Sequence, residues 1–267
     1  MKRIGDVMKS ISIPISTATG GTSTAPAAAK CAICQDAGWL RVDAPVGSPN
    51  FGRLFPCDCQ VRASDGKRAA ELKRLSNLDA FLDRTFDDFD QSIPGVSDAF
   101  QAALDYSRTP EGWLFLHGRC GGGKTHLAVA IALAFMERQP HQRVLFSVVP
   151  DLLDHLRATF DPGHGVAYDE RFDAIRGAQL LILDDLGTEN TTPWAREKLY
   201  QIFNHRYNEQ LPTVITSNQD FKRIEDRVLS RILDTRLTRY VHLDADDFRL
   251  QRRGEMLGMR GRGRLSS

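Results

Sequence analysis

Residues Trp113–Leu127 read WLFLHGRCGGGKTHL. A short apolar strand runs into a glycine loop, and the loop runs into the first turn of a helix. Gly118, Gly123, Lys124 and Thr125 satisfy the spacing G-x-x-x-x-G-K-[ST] without a gap, with Gly121 and Gly122 inside it. Each residue type has a physical task. Glycines let the backbone curl through positive φ and bring N–H groups up to phosphate oxygens. Lys124 supplies a point charge for the outer phosphates, and the Thr125 hydroxyl is a hard oxygen ligand for Mg²⁺. The helix that follows turns its positive end toward the same anion. His117, His126 and Cys120 lie in or beside the loop at positions the spacing leaves free, and the sequence alone assigns them structural parts.

Outward from this loop, the chain of 267 residues has room for one large α/β domain and a small appendage. Its formal charge of +1 excludes a polycation, so nucleic-acid contacts have to come from local patches. No stretch is long and apolar enough to span a membrane. The N-terminus starts basic but lacks a continuous apolar core, so it does not read as a secretion signal. A reducing cytoplasm is expected. Four of the five cysteines fall before residue 60, and in that compartment clustered cysteines suggest a metal rather than disulfides.

Residues 1–11 carry Ile4, Val7, Met8 and Ile11 on one side of a short amphipathic turn, too short to be stable alone. Residues 12–29 read as a flexible Ser/Thr/Ala/Gly/Pro linker. Cys31 and Cys34, then Cys57 and Cys59, form two close pairs that can meet on one ion. Four thiolates suit tetrahedral Zn²⁺, with an iron–sulfur cluster or unligated thiols as the alternatives. The segment 30–60 is too small to fold on apolar contacts alone, and a metal would supply the missing stability. Residues 60–83 have helical spacing, and 84–90 (RTFDDFD) leads to a second helix near 94–108, with Phe86 and Phe89 as anchors. Contact of 84–90 with a nucleotide base is a side possibility.

From 112 onward strand and helix alternate, which implies a parallel sheet flanked by helices. Strands are expected at 113–117, 144–148, 180–184, 213–217 and 239–243. Helices are expected at 124–138, 150–159, 168–176, 192–208 and 223–236, with a loop at 161–165. LLILDDLG (180–187) ends a buried run in two carboxylates at the mouth of a strand, where ligands of open α/β sheets bind. Asp184 is placed to hold Mg²⁺, and Asp185 to orient and deprotonate an attacking water. VITSN (214–218) ends the same way, and its Asn218 can hold that water against the terminal phosphate. The basic run around RVLSRILDTRLTR puts Arg227 and Arg231 four apart, on one helix face. Residues 251–267 are arginine- and glycine-rich and read as a disordered basic tail.

Together, GRCGGGKTHLA, LLILDDLG, TSN and RVLSRI resemble the AAA+ ATPases of the DnaC/DnaI helicase-loader group, which includes the IstB-like helper ATPases of transposition. CAICQDAGW with the later CDC resembles the zinc-binding amino-terminal part of the DnaI-type members. The resemblance covers about 31–250. It implies a P-loop AAA+ fold: a parallel five-stranded sheet in the order 5-1-4-3-2 flanked by helices, preceded by a small zinc-binding segment, with little or no lid domain. It also implies Lys124 and Thr125 as the Walker A pair, Asp184 and Asp185 as the Walker B pair, and Asn218 as sensor 1. Arg231 would be an arginine finger acting in trans, with Arg227 as the alternative and Arg249 as a candidate second sensor. Single-stranded DNA would be held by an inserted helical region near 150–176. Asp185 stands where many AAA+ proteins carry Glu.

The expected organisation is a flexible segment (1–29), a zinc-binding segment (30–60), connecting helices (61–110), an AAA+ ATPase domain (111–250) and a basic tail (251–267). The expected function is ATP-dependent loading of a ring-shaped replicative helicase onto single-stranded DNA, with Mg²⁺ at an inter-subunit site of a ring or spiral assembly. The alternatives are a transposition helper acting on duplex DNA and a zinc-containing binding module with a structural nucleotide.

Overall fold

The computed structural model describes residues 29–139, 142–158, 165–189 and 192–248. The chain divides into two compact units, Met1–Lys67 and Arg68–Ser267. In the first, β1 (Trp39–Arg41) pairs antiparallel with β2 (Leu54–Pro56) in the register Leu40↔Phe55. Its core is Cys34, Leu40 and Cys57, with Cys31 and Cys59 packed against them. So small a core cannot offset chain entropy without a staple. Helix α1 (Asp58–Leu75) starts next to Cys57 with an acidic residue in its first turn and ends with Lys73 and Arg74, matching its dipole at both ends.

The second unit is built on a parallel sheet of β3 (Trp113–Gly118), β4 (Val144–Val148), β5 (Leu180–Asp184), β6 (Thr213–Ser217) and β7 (Thr238–Leu243). Across the sheet the strands run β4-β5-β6-β3-β7, which from the other edge is the expected order 5-1-4-3-2. Successive residues of a strand face opposite ways, so each strand feeds two cores. Trp113, Phe115, Leu181, Leu183 and Ile215 pack into one, with α4 (Val149–Ala158), α5 (Gly165–Arg176), α6 (Pro193–Asn208) and α7 (Asp226–Ile232). Leu114, Leu116, Leu180, Ile182 and Val214 pack into the other, with α2 (Ser97–Arg108) and α3 (Lys124–Arg138). Burial on both faces is why these strands read as unbroken apolar runs. The edge strand β7 alternates instead, with Val241 and Leu243 inward and Tyr240 and His242 exposed.

Two helices are shorter than expected. The segment expected to be helical to 83 stops at Leu75 and resumes as a 3₁₀ turn at Leu78–Phe81. Ser76 and Asn77 leave the helix to bond β4: the Ser76 hydroxyl and the Asn77 N–H both donate to the Phe146 carbonyl. The helix expected over 223–236 is only Asp226–Ile232. Asp220 caps a 3₁₀ turn at Phe221–Arg223, and Glu225 then caps α7 through the Val228 N–H. Past Ile232, the Asp234 carboxylate accepts from the Tyr207 hydroxyl and the Arg236 guanidinium. The α4 and α5 helices begin at Val149 and Gly165 rather than 150 and 168. The N-terminal turn, residues 12–28 of the linker, residues 161–164 of the loop, Arg249 and the basic tail lie outside the described residues. Among the described residues no helical lid follows β7.

Candidate nucleotide site and cysteine cluster

Three strand ends and one helix start build the cleft. β3 delivers the glycine loop, β5 delivers Asp184 and Asp185, and β6 delivers Thr216 and Asn218. The first turn of α3 delivers Lys124 and Thr125. These side chains line a cavity of about 630 Å³. Gly123 sits at φ 93°, and a Cβ there would lie 2.8 Å from the Phe89 ring, so backbone and neighbour both require glycine. Lys124 is buried, and its ammonium donates to the Gly118 and Arg119 carbonyls at 2.8 and 2.6 Å. The loop thus carries a charge aimed along its own backbone.

The Thr125 hydroxyl lies 3.0 Å from each oxygen of Asp184, so two hard oxygen donors face one point. That donor set fits Mg²⁺, which keeps several waters and takes few protein oxygens. Thr216 completes the group. Its hydroxyl donates to Asp184 Oδ1 at 2.6 Å and accepts the Asp185 N–H at 2.9 Å. Asp184 is 4% exposed. Burial pushes its carboxyl above the usual carboxylate range, opposed by the Thr216 and Thr125 hydroxyls and the Lys124 charge, while Asp185 adds to the rise. Asp185 holds φ 63°, a left-handed conformation that costs a non-glycine residue about 1 kcal/mol or more. The turn between the two carboxylates is therefore strained at the position assigned to water activation.

Asn218 lines the same cleft, and its amide Nδ2 donates to Cys120 Sγ at 3.1 Å. The segment 84–90 also reaches the site. Arg84 and Asp88 stand at the rim beside Phe81, with the Arg84 guanidinium 4.3 Å from the Phe81 ring centre. Phe86 and Phe89 both pack on Phe100, in line with an anchoring part. His126 fixes the segment to α3 through the Thr85 carbonyl at 2.7 Å.

The two arginines of α7 are not brought to this cleft. Arg231 is folded onto its own chain: it donates to the Asn204 side chain and the Arg227 carbonyl, both at 2.7 Å, and lies over Tyr200. Arg227 is more open, with 54% of its side chain exposed, paired with Glu225 and 4.1 Å over the Tyr200 ring.

Thr216 and Glu189 have no local spacing that marks them in the sequence, and the one signal Thr216 offers is a hydroxyl inside a buried strand. Glu189 accepts the Gly187 N–H at 2.7 Å, and burial raises its carboxyl. It lines a separate cavity of about 350 Å³ with Arg196, Lys222 and Arg223.

In the first unit the sulfurs of Cys31, Cys34, Cys57 and Cys59 all lie within 4.8 Å of one another. Cys31–Cys57 is 3.8 Å and Cys34–Cys59 3.3 Å, far beyond a disulfide bond and close to the edge, roughly 3.8 Å, of a tetrahedron with 2.3 Å metal–sulfur bonds. The Cys34 and Ile33 backbone amides lower the Cys31 thiol to about 7. Cys59 is pushed up to about 12, first by its hydrogen bond with Cys34 and then by burial. The quartet can hold one tetrahedral ion.

A family model described as IstB-like ATP binding protein matches residues 57–255. The replicative helicase loader DnaI of Bacillus subtilis (strain 168) is 29% identical over 171 residues, which are 61% of this chain and 53% of that protein. The chain thus spans about half the length of that relative. Among solved structures, the crystal structure of the DnaC helicase loader superposes with a TM-score of 0.51 at 25% identity, covering 61% of this chain and 97% of the other. Domain III of the Thermotoga maritima replication initiation protein DnaA superposes with a TM-score of 0.55 at 26% identity, covering 66% and 74%.

Proposed function

Because this chain belongs to the IstB-like ATP binding protein family, we propose that it is an ATPase of the AAA+ type that loads a ring-shaped replicative helicase onto single-stranded DNA. The observation that carries the reading is the meeting of Lys124, Thr125, Asp184, Asp185 and Asn218 around one cleft. Lys124 and the N–H groups of the glycine loop, including those of Gly118, Gly121, Gly122 and Gly123, would hold the phosphates of ATP. Thr125 and Asp184 would hold Mg²⁺, which when bound neutralises charge that grows on the phosphates. Asp185 would take the proton of the attacking water, and Asn218 would keep that water in line. The burial of Asp184 makes its ionised form costly unless a cation faces it, which couples the site to the metal.

Neither Arg227 nor Arg231 lines the cleft, and this supports an arginine supplied by a neighbouring copy, with Arg231 as the candidate and Arg227 as the more exposed alternative. The active assembly would then be a ring or spiral. The likeness to DnaI and DnaC favours a helicase as partner. Residues 111–250 would form the ATPase domain and 30–60 a segment held by one structural Zn²⁺, the latter supported by the sulfur spacing. Among the described residues no helix is long and apolar enough to cross a membrane. The likeness to the helicase loader DnaI supports a place in the cytoplasm. A second reading, a transposition helper on duplex DNA, rests on the resemblance to the IstB-like ATPases.

The test mixes inactive variants. Lys124→Ala lacks a working phosphate loop, and Arg231→Ala keeps its loop but lacks the finger. If sites are shared, mixing restores part of the ATPase activity, since a finger is worth roughly a thousandfold in rate. The same proteins are then scored for loading a replicative helicase onto circular single-stranded DNA. No recovery at any ratio, with Arg227→Ala also fully active, would mean that each site is complete within one chain, and absence of turnover by the wild-type protein would favour a nucleotide that is only structural. Stimulation of a transposase on duplex DNA without helicase loading would favour the helper.

A further inference from the structure

The hydrolysis reading has Asn218 hold the attacking water against the terminal phosphate, and for an N–H to face the phosphate the amide must present its nitrogen, not its carbonyl, to the cleft. An asparagine amide is nearly symmetric in shape, so something must choose between its two orientations. In this structure that amide is paired with the side-chain amide of the next residue. Gln219 Nε2 donates to Asn218 Oδ1 at 2.6 Å, which leaves Asn218 Nδ2 directed at the glycine loop, where it reaches Cys120 Sγ at 3.1 Å.

Gln219 is itself held from two sides. Its backbone carbonyl accepts from His117 Nε2 at 3.1 Å. A carbonyl can only accept, so the His117 proton sits on Nε2, and Nδ1 faces the Tyr240 hydroxyl at 3.3 Å. The His117 ring lies against Phe221, 4.8 Å between ring centres. From the other side the Gln219 stem rests on Gly187, the glycine that follows the carboxylate pair. A Cβ at 187 would lie 3.1 Å from Gln219 Cβ and 3.2 Å from its Cγ, and Gly187 holds φ 93°. Two motifs therefore converge on one residue, Gln219: His117 from the strand before the loop holds its backbone carbonyl, and Gly187 from the β5 turn seats its stem.

We infer that Gln219, gripped by His117 and seated on Gly187, is a positioning residue that sets the orientation of the Asn218 amide for ATP hydrolysis. The inference rests on the proposed part of Asn218. It gives His117, which the sequence alone assigns to structure, a mechanical link between the phosphate loop and the sensor strand.

The experiment compares Asn218→Ala, Gln219→Glu, Gln219→Ala and His117→Phe in the full-length protein, reading ATP affinity with a fluorescent nucleotide and kcat separately. Gln219→Glu keeps shape but reverses polarity. An ionised carboxylate only accepts, so it draws Nδ2 toward itself and turns Oδ1 to the phosphates. Affinity should stay within about threefold of wild type, while kcat falls about tenfold or more at about pH 8. As pH drops toward about 5.5 the carboxyl begins to protonate and regains a donor, so the ratio of variant to wild-type kcat should climb. His117→Phe keeps the ring packing and loses the bond to Gln219, and should lower kcat several-fold at unchanged affinity. If Asn218→Ala lowers kcat but both Gln219 variants turn over at the wild-type rate, the positioning inference is overturned alone. If Asn218→Ala itself keeps the wild-type kcat, the sensor reading fails and takes the inference with it.

Discussion

Thr216→Val separates chemistry from shape, because valine fills nearly the same space and removes only the hydroxyl. Two bonds vanish. One runs to the Asp184 carboxylate at 2.6 Å, the other from the Asp185 N–H at 2.9 Å. A hydrogen bond to a charged group contributes about 1.5–3 kcal/mol, and a stranded buried N–H costs about 1–3 kcal/mol. The first loss falls on the ionised form of Asp184, which burial already disfavours, so the acid limb of the ATPase pH profile should move to higher pH. Turnover at neutral pH and limiting Mg²⁺ should fall about ten- to hundredfold. The second loss falls on the fold. Roughly 2 kcal/mol on a unit of this size lowers Tm by about 4–8 °C. Thr216→Ser restores the hydroxyl and should recover most of both. The assays are steady-state ATPase across pH at several Mg²⁺ concentrations and thermal melts without nucleotide. A Thr216→Val protein with the wild-type acid limb and Mg²⁺ dependence would show that Asp184 does not act through this network.

Asp185→Asn keeps size and loses the basic oxygen. It should still bind ATP, while hydrolysis falls about a hundredfold or more in single-turnover assays. Asp184→Asn should stabilise the nucleotide-free protein at neutral pH, on the order of 1 kcal/mol, at the expense of activity. The sign follows from the raised carboxyl: the penalty on the ionised form is absent below the ordinary carboxylate pKa and present once pH exceeds the raised value, so the Tm gain should shrink as pH falls toward about 4. Protein purified without added metal should hold about one Zn per chain. Chelation, or Cys57→Ser, should release the amide-exchange protection of residues 30–60 and leave ATP affinity unchanged.

Much of the sheet was legible because its strands are buried on both faces. Leu180–Leu183 and Val214–Ile215 leave no polar alternative, and a short apolar run bounded by polar groups has few other readings. Helix ends were less legible because side chains far away in sequence decide them. The helix expected to 83 ends at Leu75 since the Asn77 Oδ1 reaches the Ser147 hydroxyl and the Val148 N–H, some seventy residues on. Arg206 is a further case. A single arginine in an amphipathic helix reads as solvated, yet it is fully buried and donates to the Arg176 and Ala178 carbonyls and to Thr213. Only the assembled sheet supplies those acceptors, and its burial draws the guanidinium down to about 9.

The site divides along the same line. Residues whose spacing is local, Gly118 to Thr125 and Asp184 with Asp185, could be read in the chain because backbone geometry within one turn fixes what they can do. Residues that set the protonation or orientation of those groups could not. Thr216 meets Asp184 across 32 positions, Gln219 is met by His117 across 102, and Cys120 meets Asn218 across 98. None of these pairs has a spacing rule, because each contact depends on strand order: β6 lies between β3 and β5. That order makes β6 the neighbour of both the phosphate loop and the carboxylate pair. A side chain on β6 or just past its end can therefore touch both, and both functions become sensitive to its chemistry. Thr216, buried under the carboxylates, governs the charge of Asp184, while Gln219, beyond the strand end, governs the aim of Asn218. Substitutions at the two positions should consequently differ in kind: Thr216 changes pH and metal dependence, and Gln219 changes kcat at fixed affinity.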